Sequence, residues 1–252
     1  IAPGGTINLV NDTGTSVGAS NAVMLRIGEN AVLDVSGDSF VATDVQGRRF
    51  GLVRDGGTIN LGSDRRSRHP STHLYQISPL AIVIEDGSYL DLSGGGETLL
   101  DIYPDKSGVA VAGDGGTLAI SSNNQIVLDG TVDAGAGGQN AFGGTLDIML
   151  EGTFASGETD AHPLRTVTIG AERSTAEDAS GHGRMVLGVD QIEAGGYDSL
   201  SIWARDEIRF EGDVDLALGR SINLSHGIFS LSQNTLDASV NIAAPYIRFG
   251  GR

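Results

Sequence analysis

Three stretches near the end of the chain decide the fold, because each carries the same short alternation of apolar and polar residues. They are LSIWARDEIRFEG (residues 200–212), INLSHGIFSLS (222–232) and VNIAAPYIRFGG (240–251). Repetition at a nearly constant spacing indicates a stack of similar structural units.

Two columns of aligned apolar residues run through these stretches. The first column, at steps of 20 and 19 residues, consists of Ile208, Ile228 and Ile247. The second column, in phase with the first at steps of 22 and 18 residues, consists of Leu200, Ile222 and Val240. We predict that each column stacks inward and forms part of the core.

Two strand columns that share a period near 20 predict a coil of several short strands, with each coil stacked on the next. Alternation places one side chain of a strand inward and the next outward. No window of twelve or more residues keeps the apolar spacing of an amphipathic helix. The pattern therefore predicts an all-β fold, a parallel β-solenoid.

Two short units recur upstream. Gly-Gly-Thr precedes an apolar alternation at residues 4–9, 56–61, 115–120 and 143–148. Glycine suits a corner because it tolerates positive φ, and threonine favours a strand. The second unit, Leu-Asp-Val-Ser-Gly or close to it, reads as a strand entering a turn and occupies residues 32–37, 89–94, 131–135 and, more loosely, 235–239.

Irregular spacing between these units predicts insertions that project from the stack without disturbing it. We place them near residues 38–55, 63–79, 95–113 and 153–184. The whole chain, residues 1–252, is then one solenoid domain of about 10 to 12 coils and about 50 to 60 Å. We interpret it as a segment of a longer repeat array.

The composition limits the kinds of site and partner that the chain can have. The 252 residues include 38 Gly and no Cys, which excludes disulfides and thiolate metal sites. The net charge of −16 disfavours nucleic acid and anionic membranes as partners. No apolar run is long enough to predict a membrane insertion.

The ordered recurrence of these units resembles a known family. Residues 30–37, 56–62, 87–96 and 115–137 look like the haemagglutination-activity repeats of filamentous haemagglutinins, large exoproteins that Gram-negative bacteria export by two-partner secretion. The resemblance implies a right-handed parallel β-helix, secretion to the bacterial surface, and a dedicated outer-membrane transporter as partner through a region outside this segment. It also implies an adhesin, or the shaft that carries an activity located elsewhere.

One basic cluster stands out in this acidic chain. It lies within nine residues and consists of Arg65, Arg66, Arg68, His69 and His73. Such a cluster could bind sulfated or sialylated glycans of a host surface through charge-assisted hydrogen bonds, whereas a basic run is more often a solvated loop.

The sequence favours neither a catalytic site nor a metal site. Gly181-His182-Gly183 is similar to a motif of pectin-cleaving β-helix enzymes, but their Asn-Thr-Asp and Asp-Asp partners do not occur here, so we interpret His182 as a turn residue. One position of the second recurring unit is an aspartate in every copy: Asp34, Asp91, Asp133 and Asp237. These carboxylates could form a ladder that binds calcium, although an aspartate beside a turn usually caps its own backbone.

We therefore expect a structural and adhesive shaft that is not an enzyme and needs no metal or cofactor. Two alternatives stay open. They are the shaft of a contact-dependent toxin-delivery exoprotein and a carbohydrate-active β-helix enzyme.

Overall fold

The computed structural model describes residues 1–10, 23–63, 80–102, 107–151, 164–172, 183–232 and 237–250. These residues form an all-β structure with one short helix. In chain order the elements are β1 (Thr6–Val10), β2 (Val23–Ile27), β3 (Val32–Asp34), β4 (Ser39–Thr43), β5 (Arg49–Val53), β6 (Thr58–Gly62), β7 (Leu80–Ile84), β8 (Tyr89–Asp91), β9 (Thr98–Leu100), β10 (Val109–Val111), β11 (Thr117–Ser122), β12 (Ile126–Leu128), β13 (Thr131–Asp133), β14 (Gly144–Leu150), β15 (Thr166–Gly170), β16 (Arg184–Gly188), α1 (Val189–Ala194), β17 (Tyr197–Glu211), β18 (Val214–Ala217), β19 (Ser221–Leu231), β20 (Val240–Ala243) and β21 (Tyr246–Gly250).

Most strands belong to one large parallel sheet, curled like a half-barrel. Its first side, here called face A, has the strand order β1-β6-β11-β14-β17-β19-β21. Its second side, face B, has the order β2-β7-β12-β16-β15-β17-β19. Strands β17 and β19 are long enough to run from face A into face B.

A third side, face C, closes the cross-section. It contains the parallel sheet β3-β8-β13 and the parallel pair β18-β20. Helix α1 takes the position between them, since the Ala134 amide after β13 donates to the Gly195 carbonyl (2.8 Å) and α1 contacts β18. Val189 and Ile192 turn the apolar side of the helix into the core.

The core consists of columns of stacked apolar side chains. On face A one column is fully buried from Ile59 to Ile222, and face B has an equivalent column through Ile82, Val167 and Ile208. Period-two alternation explains the columns, because every second side chain of each strand points to the same side.

Glycine corners let the coils approach closely. A Cβ on Gly57 would lie 2.0 Å from the Gly5 carbonyl oxygen, and one on Gly116 would lie 2.1 Å from that of Gly57. No larger residue fits, which gives the recurring Gly-Gly-Thr unit its structural reason.

One predicted column is wrong. Ile208 stacks on Phe229, whereas Ile228 lies opposite Glu207 and is 63% exposed. The cause is a bulge: two residues, 205 and 206, separate the two halves of β17, but only Gly227 separates those of β19. One extra residue reverses which side chains point inward.

The other predicted column is correct only for its first two members. Leu200 pairs with Ile222, but the next residue of that column is Ile247, which the internal repeat predicts in one column with Ile208. Val240 lies on face C beside Val214. Strand β20 lies on face C and β21 on face A, and both belong to the same coil. A period near 20 residues does not distinguish the two strands, so the predicted column combined residues of two faces.

The described stack is shorter than predicted. Face A has seven strands, which at about 4.8 Å each span about 30 Å, not 50 to 60 Å. Direct pairing of β1 with β6 and of β6 with β11 leaves no room for further coils between them. The prediction overcounted because the early coils carry long insertions.

Two antiparallel hairpins project between faces C and A. Strands β4 and β5 form the first, within the predicted insertion at 38–55, and β9 and β10 form the second, within 95–113. The insertion predicted at 63–79 lies, except for Ser63, outside the described residues.

The described part of the last predicted insertion, 153–184, does not form a projecting loop, so the prediction is wrong there. Residues 166–170 form β15, which lies inside the parallel sheet between β16 and β17 with Val167 and Ile169 buried. Between β14 and β17 the chain thus enters face B twice, and β16 lies one position back along the stack from β15.

Candidate interaction surfaces

A row of carboxylates runs along the outside of face C. Asp34 pairs with Asp91, and Asp91 pairs with Asp133. Each Oδ1 accepts a hydrogen bond from the backbone N–H two residues later, at 3.1, 3.0 and 2.9 Å respectively. These aspartates therefore cap their own turns, which is the structural role weighed against calcium binding.

Asp237 does not belong to this row. It precedes β20, and on that part of face C the outward positions are Asp215 and Asn241, whose side chains share a 2.8 Å hydrogen bond. The described ranges contain no group of three or more histidine, aspartate or glutamate side chains arranged to hold a metal ion.

The carboxylate row contributes to a raised pKa of two tyrosines, Tyr89 and Tyr197. Partial burial raises the pKa of Tyr89, and the charges of Asp91, Asp133 and Asp34 and a hydrogen bond to Asp133 raise it further. Burial also raises the pKa of Tyr197, with a smaller contribution from Asp133. The Tyr197 hydroxyl is buried and has no hydrogen-bond partner among the described residues.

The first hairpin presents an apolar side to solvent. Phe40 is opposite Leu52, and Ala42 is opposite Phe50, so the four side chains share one side of the two strands. Phe40, Phe50 and Leu52 are 66, 53 and 53% exposed. We call Phe40, Ala42, Phe50 and Leu52 the hairpin patch; exposed clusters of this kind mark interaction sites.

The hairpin patch sits on an anchored support. The Arg49 guanidinium donates to the Asp101 carboxylate at 2.8 Å, and the Asp101 N–H donates to the Arg49 carbonyl at 2.9 Å. These bonds join the first hairpin to the second, so the patch is held in a defined position beside the stack.

The two ends of face A, in the part of the chain that the structure describes, also expose apolar side chains. Ile247 and Phe249 of β21 are 37 and 56% exposed, although Ile222 and Leu224, one strand inward in the same columns, are 0% exposed. At the opposite end Leu9 of β1 is partly exposed. Among the described residues, no strand covers the outer side of these column ends.

The basic residues that the sequence singled out lie outside the described residues. They are Arg65, Arg66, Arg68, His69 and His73, in the segment that connects β6 to β7. Their glycan-binding role stays a prediction. His182 likewise falls outside the described part of the chain.

Sequence reasoning missed the hairpin patch although a signal was present. Ser39–Thr43 (SFVAT) and Arg49–Val53 (RFGLV) both contain aromatic and β-branched residues, and the turn between them contains Asp44 and Gly47, with φ of +76° at Gly47. Two such runs around a turn of this kind predict a hairpin.

Comparisons with protein-family models, curated proteins and solved structures found no match to this chain. Among the described residues, no helix is both long and apolar enough to span a membrane.

Proposed function

We propose that this chain is a structural and adhesive shaft segment of a secreted bacterial surface exoprotein similar to the filamentous haemagglutinins. In this proposal the stack is a right-handed parallel β-helix that spans distance, and its projecting elements contact a host glycan or surface receptor. Export uses an outer-membrane two-partner secretion transporter of a Gram-negative bacterium.

One observation carries the proposal. The columns of face A pass through seven paired parallel strands without a polar residue, from Ile7 to Ile247 and from Leu9 to Phe249. A solenoid of this type is rigid along its axis because each coil bonds directly to its neighbours. Projecting segments lie beside the axis, where a rigid scaffold positions binding residues.

The carboxylate row on face C supports a structural rather than a glycosidase role. Paired acid and base groups must be free to face a sugar. Here the Oδ1 atoms of Asp34, Asp91 and Asp133 are each engaged in a turn of their own backbone.

Surface labelling of the producing bacterium tests the proposal. Antibody raised against the 252-residue chain should label intact cells, and extracellular protease should remove the label while a cytosolic marker stays intact. Confinement of the antigen to the cytosol would reject the surface role.

Adhesion is tested separately with beads that carry the purified chain. Beads with Phe40→Ser and Leu52→Ser should bind host cells less than wild-type beads, whereas Val32→Ser, an exposed change on face C, should not alter binding. Equal binding by all three bead types at the level of uncoated beads would reject the adhesive part and leave the shaft part standing.

A further inference from the structure

We propose that two copies of this chain pair through their hairpin patches, which pack face to face about a twofold axis parallel to strands β4 and β5. The proposal goes beyond the shaft function and does not rest on it. It concerns the internal residues 38–54, so it applies to the chain alone and to a longer array that contains it.

The hairpin patch is framed by an ion pair at each end. The hydrogen-bonded ladder continues one residue beyond the strands, since the Arg54 N–H donates to the Asp38 carbonyl and the Asp44 N–H to the Arg48 carbonyl, both at 2.9 Å. Their side chains pair as well, with Arg48 Nε 2.8 Å from Asp44 Oδ2 and Arg54 Nη1 3.5 Å from Asp38 Oδ1. By the alternation of period two, the patch side carries Asp38, Phe40, Ala42 and Asp44 on one strand. On the other strand it carries Arg48, Phe50, Leu52 and Arg54.

The two strands thus have opposite charges at both ends, which makes the hairpin complementary to a second copy of itself. When the second hairpin is turned over about an axis parallel to the strands, its β5 lies over the first β4. Asp38 then faces Arg54 of the second copy, and Asp44 faces its Arg48. Each charge at the border of the patch therefore meets an opposite charge.

The apolar side chains suit the same arrangement. Phe50 of one copy lies over Ala42 of the other, so a large side chain meets a small one, and Phe40 lies over Leu52. These four side chains have no polar atom, so their contact buries no group that needs a hydrogen bond.

The alternative twofold arrangement is disfavoured by charge. A second hairpin turned about an axis across the strands would place its β4 over the first β4 in the opposite direction. Asp38 would then face Asp44 of the second copy, and Arg54 would face its Arg48. Like charges in contact oppose association, so the charges select the first arrangement.

The chemistry of this surface favours a second copy over a glycan as the occupant. Sugar hydroxyls require hydrogen-bonding partners, and the apolar side chains of the patch offer none. Although the chain carries −16 overall, residues 38–54 contain three arginines and two aspartates. Two copies therefore repel each other less at the hairpin than where their acidic surfaces meet.

The size of the patch predicts a weak dimer. Phe40, Phe50 and Leu52 are 66, 53 and 53% exposed, and one aromatic side chain buries about 150 to 250 Å² at most. Each copy therefore contributes less than the roughly 800 Å² of a standard interface. Since the same surface is used on both copies, the assembly closes at two chains.

Sedimentation velocity of the purified 252-residue chain, from micromolar to near-millimolar concentration, tests the use of the patch. The wild-type chain should pass from monomer to dimer and form nothing larger. Phe50→Lys should stay monomeric, because it places a charge in the centre of the contact. Its matched control is Ile228→Lys, at an apolar residue of face B that is 63% exposed, and this variant should dimerise like wild type.

Three results of that experiment would overturn the proposal. They are a wild-type chain that is monomeric at every concentration, a Phe50→Lys chain that dimerises like wild type, and loss of the dimer in Ile228→Lys. Circular dichroism before sedimentation establishes that each variant is folded.

A charge exchange tests the arrangement. Asp38→Arg and Arg54→Asp change side chains that are 55 and 50% exposed, and each brings four like charges together at one end of the paired hairpins. Each variant alone should dimerise at least about tenfold more weakly than wild type. An equimolar mixture, with one variant labelled, should form mixed dimers at wild-type strength, because opposite charges face each other again.

Total charge does not explain such a recovery. The two substitutions change the net charge by +2 and −2, so a mixed pair carries the same total as a wild-type pair. Glu193→Arg, at an exposed position of α1, is the control for a change of +2 and should dimerise at least as strongly as wild type.

Two outcomes of the exchange would overturn the proposed arrangement. Stronger self-association of Asp38→Arg would show that Asp38 faces an acidic residue, and a mixture without mixed dimers would show that Asp38 and Arg54 do not meet. Both measurements are made without host cells. A chain that pairs in solution but does not adhere would therefore support this proposal and reject only the adhesive part of the proposed function.

Discussion

Single residues in this protein are constrained mainly by what lies above and below them in the stack. Gly116 must lack a side chain because the Gly57 carbonyl occupies the space where a Cβ would be. Tyr197 is the opposite case, since its ring is buried in the core while its hydroxyl finds no partner among the described residues. A buried hydroxyl without a hydrogen bond costs free energy.

Tyr197→Phe is therefore expected to leave the free energy of unfolding at pH 7 unchanged or to raise it by up to about 1 kcal/mol. The pH profile should change as well. Because folding raises the pKa of Tyr197, the unfolded chain loses this proton first, above about pH 10. Wild-type stability should be complete below that pH and fall above it, and the variant should lack this part of the fall; urea titrations at several pH values measure both.

Ser122→Ala is the matched control for a buried hydroxyl. The Ser122 Oγ donates to the Leu80 carbonyl at 2.6 Å and accepts from the Asn124 N–H at 2.8 Å. Its loss should cost about 1 to 3 kcal/mol. A larger cost for Tyr197→Phe than for Ser122→Ala would show that the tyrosine hydroxyl has a partner.

Among the elements, the hairpins and the stack contribute differently to stability. Strands of the stack bury the columns, whereas the first hairpin closes on itself, with the Arg54 N–H donating to the Asp38 carbonyl at 2.9 Å. Its two ends are therefore adjacent, and the stack does not need it to connect β3 with β6.

Replacement of residues 39–53 by Gly-Gly should consequently leave the stack folded. The deletion removes the Arg49–Asp101 ion pair, in which the arginine side chain is 39% exposed but the aspartate side chain only 4%, so we expect a cost of about 1 to 3 kcal/mol. Urea unfolding should show a change of this size. Ile59→Ala, a fully buried site in β6, should cost about 2 to 5 kcal/mol in the same assay. If the hairpin deletion lowered the free energy of unfolding by more than Ile59→Ala does, the stack would not be the main source of stability.

At the scale of the whole molecule, stability comes from contacts between neighbouring coils. The described chain has a few long-range pairings repeated many times, such as Ile59 with Leu118 and Leu118 with Leu146. In such a stack stability is close to a sum over coils and their junctions. Removal of one complete coil should weaken the fold without destroying it.

Deletion of residues 58–116 tests this, because it joins Gly57 to Thr117 and lets β11 take the place of β6. The columns then continue from Ile7 to Leu118 and from Leu9 to Ile120. We expect a cooperatively folded chain with a smaller urea m-value, since less surface is exposed on unfolding.

The control deletion, residues 58–117, removes one residue more and joins Gly57 to Leu118. Every side chain of β11 then faces the opposite way relative to the corner, so this chain should be far less stable. Equal stability of the two deletions would mean that the columns do not determine the register.

The strand type, the parallel stacking, the Gly-Gly-Thr corners and the presence of insertions could all be predicted from the sequence. Each of these follows from local rules: alternation of period two, the need for glycine at a close approach, and repetition along the chain. Those rules act within a few residues or between identical units, so one chain is enough to read them. The candidate binding sites were harder to predict from the sequence, because the basic cluster rests on composition alone and the hairpin patch was not recognised.

Which strands share a face depends on tertiary contacts and could not be predicted from the sequence. The bulge at residues 205 and 206 turned Ile228 outward, Val240 went to face C, and β15 entered the sheet where a loop was expected. Register across a bulge and the choice of neighbour depend on contacts between distant parts of the chain, which a period near 20 cannot distinguish because each coil contains strands of three faces.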